Sequence, residues 1–322
     1  MLLVSDWPSC DILFRTVEGV NVTQDVLVTG ATGAQGGAVV DALLAASIPV
    51  RALVRDMSSL AAQRLTARGV SLRVGSFDDL DSIIDAAKGV AGVFSMQTAS
   101  PVDPESEVRA ATNIVTAARQ VGATTLVHTS VARANDYQNF AGWAEHRWWQ
   151  DYWIMKGRAN DAVRASGVAH WVILKPAFMM DNFIAPKATH MFPTLKHGVL
   201  QTAYEPQTRL DLIAAADIGK VAAQAFVDPS AYHGQEIDLA ASSLTMDEVG
   251  RVLCDVGGKS IAVEYVSAEQ AIAQGQYRGV IESQQWANVE GYRVDLELAR
   301  THHVALESFP DWAHRHRADF VF

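Results

Sequence analysis

Cysteine is nearly absent: Cys10 and Cys254 are the only two among 322 residues. One distant pair builds no disulfide framework, and a reducing, cytoplasmic setting is the simpler reading. Basic residues are also in the minority. With 26 Lys and Arg against 36 Asp and Glu, the formal net charge is −10. That balance argues against nucleic acid or an anionic membrane surface as the main partner, so an anionic ligand needs a local site. No apolar run reaches the roughly 18 residues that cross a bilayer. His128, His170, His302, His303, His314 and His316 lack metal-ligand spacing with cysteine or carboxylate, so no metal is expected. There is no low-complexity linker and no repeat of fixed period. What remains is an ordinary globular composition, 49% apolar and 19% charged, long enough for a full core with an added lobe.

Residues 1–24 read as an N-terminal extension. Asp6, Pro8 and Asp11 interrupt the apolar start, and no Lys or Arg precedes it, unlike a secretory signal. A disordered segment and an extra packed edge segment both stay open.

The densest signal is Asp25-Val-Leu-Val-Thr-Gly-Ala-Thr-Gly-Ala-Gln-Gly-Gly37. A β-branched run meets a glycine-rich turn, and an alanine-rich helical pattern follows at once. A strand that ends in such a turn and opens a helix aims backbone N–H groups and a positive dipole end at one point, which suits a pyrophosphate. Gly30 permits the turn, Gly33 leaves room for the phosphates, and Gly36 lets helix and strand pack closely. Thr32, Ala34 and Gln35 complete this cofactor-binding segment. The plain alternative is a strand–turn–helix without ligand.

From Asp25 the chain alternates. Strands are expected at Asp25–Thr29, Val50–Val54, Ser71–Val74, Gly92–Ser95, Thr125–Thr129 and Trp171–Leu174, with helices at 36–46, 58–68, 79–88, 105–121 and 152–166. Such alternation means an α/β fold, a doubly wound parallel sheet of Rossmann type with helices on both faces. Right-handed crossovers place the C-terminal strand ends on one rim, where ligands bind. Residues 25–176 form this domain. Residues 177–322 read mostly as a smaller substrate lobe, with some segments returning to the first domain, and 217–227 and 246–256 within them read as helical.

The end of the second strand selects the dinucleotide. A carboxylate about 20 residues past the glycines would bond a ribose hydroxyl. This chain has Arg55, 19 residues after Gly36. A guanidinium there forks onto a 2′-phosphate, so NADP(H) is expected over NAD(H). A surface pair of Arg55 with Asp56 is the alternative, and Arg51 lies at the far end of the strand. Phe77 and Asp78, past the third strand, are read as adenine-side contacts, beside a competing role of Asp78 or Asp79 as helix cap. Gln97, past the fourth strand, joins the cofactor set.

Tyr152 and Lys156 stand at i and i+4, on one helical face. A nearby cation favours phenolate, so the pair predicts a tyrosine pKa lowered towards neutrality and a phenol that hands its proton to a carbonyl oxygen. Lys156 also reaches the nicotinamide ribose in this reading.

The chain resembles the NmrA-like members of the atypical short-chain dehydrogenase/reductase superfamily over roughly residues 25–270. The resemblance rests on Gly30-Ala-Thr-Gly-Ala-Gln-Gly-Gly37, Val50-Arg-Ala-Leu-Val-Arg55, Gly75-Ser-Phe-Asp-Asp79 and Lys156 opening a helix. It rests also on Leu174-Lys-Pro-Ala-Phe-Met-Met-Asp-Asn182, Ala216-Asp-Ile-Gly219 and Leu244-Thr-Met-Asp-Glu248. It implies a Rossmann domain binding NADP(H) with a small C-terminal lobe, in a family that holds quinone, dye and isoflavone-type reductases and redox-sensing regulators. Ser130 is the hydroxyl it implies as a third catalytic member. The chain departs from the pattern at Ser76, Asn160 and Lys175, where Asp, Glu and Arg are usual, and if Val131 rather than Ser130 is the matching position the usual hydroxyl is missing. The resemblance also leaves Lys156 or a bound water as the alternative proton source, as in the isoflavone-type relatives.

Trp143, Trp148, Trp149 and Trp153 fall within eleven residues and are half of the eight tryptophans. Trp149 and Trp153 are read as walls of a pocket for a flat, hydrophobic small molecule, with Met179, Asn182 and Trp286. Core packing and a homodimer surface are the alternatives. Phe178 is placed near the nicotinamide, and Trp286 with Tyr292 closes the lobe. Two functions follow: an NADPH-dependent reductase of a hydrophobic carbonyl, quinone or conjugated acceptor, or a non-catalytic NADP(H)-sensing regulator. Tyr152, absent from many such regulators, favours the enzyme.

Overall fold

The alternation is realised as seven parallel strands. The computed structural model describes residues 25–301 and 304–322. The extension 1–24, with Cys10, and the pair His302 and His303 lie outside the described residues. Strands β1 (Val26–Val28), β2 (Val50–Val54), β3 (Ser71–Val74), β4 (Gly92–Ser95), β5 (Thr125–Thr129) and β6 (His170–Pro176) alternate with helices. These are α1 (Ala34–Ala45), α2 (Leu60–Ala67), α3 (Leu80–Ala87), α4 (Ser106–Gln120) and α5 (Gln150–Arg164). Four strands have the expected bounds. Helix α5 begins two residues early, so Lys156 lies in its second turn.

Past Pro176 follow β7 (Phe178–Met179), α6 (Ala188–Met191), β8 (Val199–Thr202), β9 (Leu210–Ile213), α7 (Ala215–Val227), α8 (Pro229–Tyr232) and β10 (Gln235–Leu239). Then come β11 (Ser242–Leu244), α9 (Met246–Gly257), β12 (Ala262–Tyr265), α10 (Ala268–Ala273), α11 (Arg278–Val289), α12 (Leu296–Ala299) and α13 (Phe309–Arg315). The large sheet has the order β10-β6-β5-β4-β1-β2-β3. β1 therefore pairs with both β2 and β4, and the chain reverses direction of winding there. Ligands bind at that switch point in doubly wound sheets.

Two later segments return to the first domain. β10 adds a parallel seventh strand beside β6. α7 packs on α1 so closely that a Cβ at Gly219 would lie 2.4 Å from the Ala38 carbonyl oxygen. Apolar clusters fill both faces of the sheet: Val39, Leu43 and Ile218 on one, Ile83, Ile114 and Leu126 on the other.

The lobe is built from a three-stranded sheet, β11-β9-β7, and the pair β12-β8. Its core is aromatic, with Phe183 stacked on Phe192 at 4.9 Å and Phe309 on Trp312 at 5.4 Å. Helix α13 carries His314 and Arg315 to solvent, while Trp312 on the same helix is fully buried. Among the described residues no helix is long and apolar enough to cross a membrane.

Candidate active site

The glycine turn sits on the rim at the switch point. Gly30 has φ +64°, a conformation that favours glycine. A Cβ at Gly36 would stand 2.2 Å from the Gly30 carbonyl oxygen, so the helix start closes against the turn only without a side chain. Gly33 differs: its φ is −95°, and a Cβ there would meet only the Gly30 oxygen, at 3.4 Å. The space beyond is open, and Thr32, Gly33 and Ala34 are exposed. No side chain caps α1, and its first turn holds no acidic residue. Its first N–H groups thus lack intrahelical partners and face outward.

Arg55, at the neighbouring strand end, is exposed and makes no hydrogen bond or ion pair among the described residues. The alternative pairing with Asp56 is not formed, because Asp56 accepts from the Ser58 amide at 2.7 Å and from the Ser58 hydroxyl at 2.6 Å. Arg51 is occupied at the opposite end of the strand, 2.9 Å from Asp25. An uncapped helix start and a free guanidinium on one rim fit the pyrophosphate and 2′-phosphate of NADP(H).

Phe77 and Asp78 lie along the β3 rim, outside the chamber described next. Phe77 packs on the apolar cluster below the rim, and its carbonyl accepts from Asn113 at 2.8 Å. Asp78 is paired with Arg109 at 2.7 Å, while Asp79 caps α3 through the Ser82 amide.

One chamber of about 560 Å³ opens beside the turn. Gln35, Gln97, Ser130, Tyr152, Lys156 and Phe178 line one part, and Trp149, Trp153, Met179, Asn182 and Trp286 the other. Gln35 ties the walls together: it accepts from Thr129 Oγ1 at 2.7 Å and donates to the Met179 sulfur at 3.3 Å. Trp149 and Tyr152 have ring centroids 5.5 Å apart, and Trp153 and Trp286 4.7 Å. Tyr292 stands edge-on to Trp286 at 5.1 Å. Trp143 turns away to Tyr137 and is not in the lining. Among the described residues no group of three potential metal ligands occurs.

The electrostatics depart from the expected Tyr–Lys pairing. Lys156 Nζ lies 2.6 Å from Glu107 Oε1, with side-chain exposures of 9% and 1%. The ammonium sits 5.7 Å from the Tyr152 ring centroid, over the ring face. The Tyr152 pKa is raised, first by burial and then by the Glu107 charge, not lowered as the spacing suggested. The lysine charge is already matched by a carboxylate, so little is left to favour phenolate.

Glu107 was not found by sequence reasoning, nor were His128 and Ser95. His128 is buried, its Nδ1 3.1 Å from Ser95 Oγ, and burial together with the Lys156 charge pushes its pKa down to about 3. Ser130 Oγ, Gln97 Nε2, His128 Nε2 and Glu107 Oε2 are buried without protein partners. Orphaned buried polar atoms are costly, and of these four residues Gln97 and Ser130 line the chamber, where a ligand group can complete their bonding.

This fold and rim define a Rossmann-type α/β protein with an attached lobe. The chain belongs to the NmrA-like family, whose model matches residues 22–312. It is 30% identical over 254 residues to NAD(P)H azoreductase of Xenophilus azovorans, covering 76% of this chain and 78% of that one. Its fold is shared with the Citrobacter sp. triphenylmethane reductase complexed with NADP(H), at TM-score 0.73 and 20% identity over 91% of this chain and 99% of that one. It is shared also with NmrA, a negative transcriptional regulator in complex with NADP, at TM-score 0.70 and 18% identity over 91% and 95% of the two chains.

Proposed function

We propose that this protein reduces flat, hydrophobic aromatic acceptors, namely quinones, conjugated carbonyls or azo compounds, with NADPH as reductant. It is an NAD(P)H-dependent oxidoreductase of the NmrA-like family, like the azoreductase it resembles along most of both chains. The observation that carries the reading is the chamber itself. It joins Tyr152, Lys156 and Ser130 to an aromatic wall, directly beside an open helix start.

When bound, NADPH supplies the hydride. The first turn of α1 and Arg55 hold its phosphates. Trp149, Trp153 and Trp286 take the flat faces of the acceptor and exclude water. Because its pKa is raised, Tyr152 stays a neutral O–H donor through the physiological range. It hydrogen-bonds to an acceptor oxygen or nitrogen and releases its proton only as negative charge develops there. Lys156, fixed by Glu107, places positive charge at the same end of the chamber. Ser130 Oγ is a further hydroxyl for that atom.

The test is NADPH consumption with a panel of quinones, aldehydes and azo compounds, by wild type and by Tyr152→Phe. Acceptor-dependent consumption is expected, reduced about 10²–10⁴-fold in Tyr152→Phe with NADPH affinity retained. Tight NADPH binding without turnover on any acceptor would replace this reading with a dinucleotide-sensing regulator. Full activity in Tyr152→Phe would move the proton donor to Lys156 or a water.

A further inference from the structure

Tyr277 lines the same chamber and is 57% exposed, which places it at the entrance. It is the residue that precedes α11. Among the described residues its side chain makes no hydrogen bond, ion pair or ring contact. Beneath it lies Gly279, where a Cβ would stand 2.9 Å from Tyr277 Cε1. The ring therefore rests on bare backbone, in a seat that any side chain at 279 would fill.

A single exposed aromatic is ordinary on a protein surface. The seat is what distinguishes this one. The chamber behind it is walled by Trp149, Trp153 and Trp286, so aromatic surface runs from the interior to the entrance. Stacking favours offset and edge contacts between rings, and the outer face of Tyr277 has no such contact within the protein.

We propose that Tyr277 is a specificity-determining clamp for acceptors that carry two or more aromatic ring systems. The reacting ring system enters the chamber, and the second lies outside it against Tyr277. A single-ring quinone fits the chamber without reaching Tyr277, whereas a diaryl compound touches both. The inference rests on the reductase reading of the chamber and adds which acceptors it prefers.

The test compares 1,4-benzoquinone with a diaryl azo compound. NADPH-dependent turnover gives KM and kcat for each. Quenching of chamber tryptophan fluorescence gives a dissociation constant for the azo compound without any turnover. Tyr277→Ala should raise KM and Kd for the diaryl compound about 3- to 10-fold, the scale of one aromatic contact. Its KM for benzoquinone and its NADPH affinity should stay at wild-type values. Tyr277→Phe should behave as wild type. Gly279→Ala should shift the diaryl compound in the same direction as Tyr277→Ala, because it unseats the ring without removing it.

Unchanged diaryl affinity in Tyr277→Ala, equal losses for both acceptors, or no diaryl binding by wild type would each overturn the clamp. Selective loss of binding in a protein that turns nothing over would keep the clamp and remove the reductase reading. Turnover of both acceptors without a selective Tyr277 effect would do the reverse.

Discussion

Glu107 and Lys156 form a buried ion pair between α4 and α5, Oε1 to Nζ 2.6 Å, with Lys156 in the chamber wall. Removing one partner of such a pair strands a charge in a poorly solvated place, which typically costs about 3–5 kcal/mol. Glu107→Leu should therefore lower stability by about that amount in urea unfolding. The double variant Glu107→Leu/Lys156→Met, with neither charge, should recover most of the loss. If the double variant were as unstable as the sum of the singles, the two charges would not be coupled.

The glycine turn separates binding from folding. Gly33→Val adds a side chain where φ is ordinary and the space beyond is open, so the protein should fold and lose NADPH affinity. Gly36→Ala places a Cβ 2.2 Å from the Gly30 oxygen, so it should destabilise the fold itself. Thermal unfolding and calorimetric titration on both variants separate the two effects. Wild-type NADPH affinity in a folded Gly33→Val protein would contradict the placement of the phosphates.

Arg55 has no protein partner among the described residues, so its charge is available to a 2′-phosphate. Arg55→Asp should weaken NADPH binding by about 1–3 kcal/mol and leave NADH binding nearly unchanged. Calorimetry with both dinucleotides checks this, and equal losses for the two would remove Arg55 from the phosphate site.

His128 links stability to pH. Its folded pKa is pushed down to about 3, against about 6.5 for a free imidazole. Above about pH 6.5 both folded and unfolded states are neutral at this residue, and its full stabilisation is present. As pH falls below that value the unfolded chain takes up a proton that the folded one refuses. Stability then declines, approaching about 1.4 kcal/mol per pH unit, until the folded imidazole also protonates. Urea unfolding between pH 7 and 5 should show this decline in wild type and a shallower one in His128→Asn. Identical slopes in the two proteins would contradict the buried neutral assignment.

Much of this architecture is legible in the sequence. Val50–Val54 and Thr125–Thr129 are short apolar runs bounded by turns, and the glycine turn fixes where α1 begins. β10 was less legible, because Gln235 and Glu236 interrupt its apolar pattern and its partner β6 lies more than fifty residues earlier. The five expected chamber residues share one cavity because β7, the start of α5 and the lobe helix α11 meet there. The ion pair was hidden for a different reason. Glu107 lies on α4, and no local spacing connects it to Lys156 on α5. One signal was available: Glu107 falls on the stripe of Ala110, Ala111, Ile114 and Ala118, so a carboxylate occupies the buried face of an amphipathic helix. A charge on that face calls for a buried partner. The tyrosine pKa departs from expectation for the same reason: Tyr152 and Lys156 share α5, and the carboxylate that α4 sets against Lys156 is invisible in their spacing.

Hydride transfer to an aromatic acceptor inside the chamber is the step on which the proposed activity depends. The most direct measurement is the rate of acceptor-dependent NADPH oxidation with ordinary and 4-deuterated NADPH, under single-turnover conditions with a quinone. One NADPH should be oxidised per quinone reduced, with slower oxidation when deuterium occupies the transferred position. NADPH that binds tightly yet stays unoxidised with every quinone and azo compound, in both isotopic forms, would contradict it.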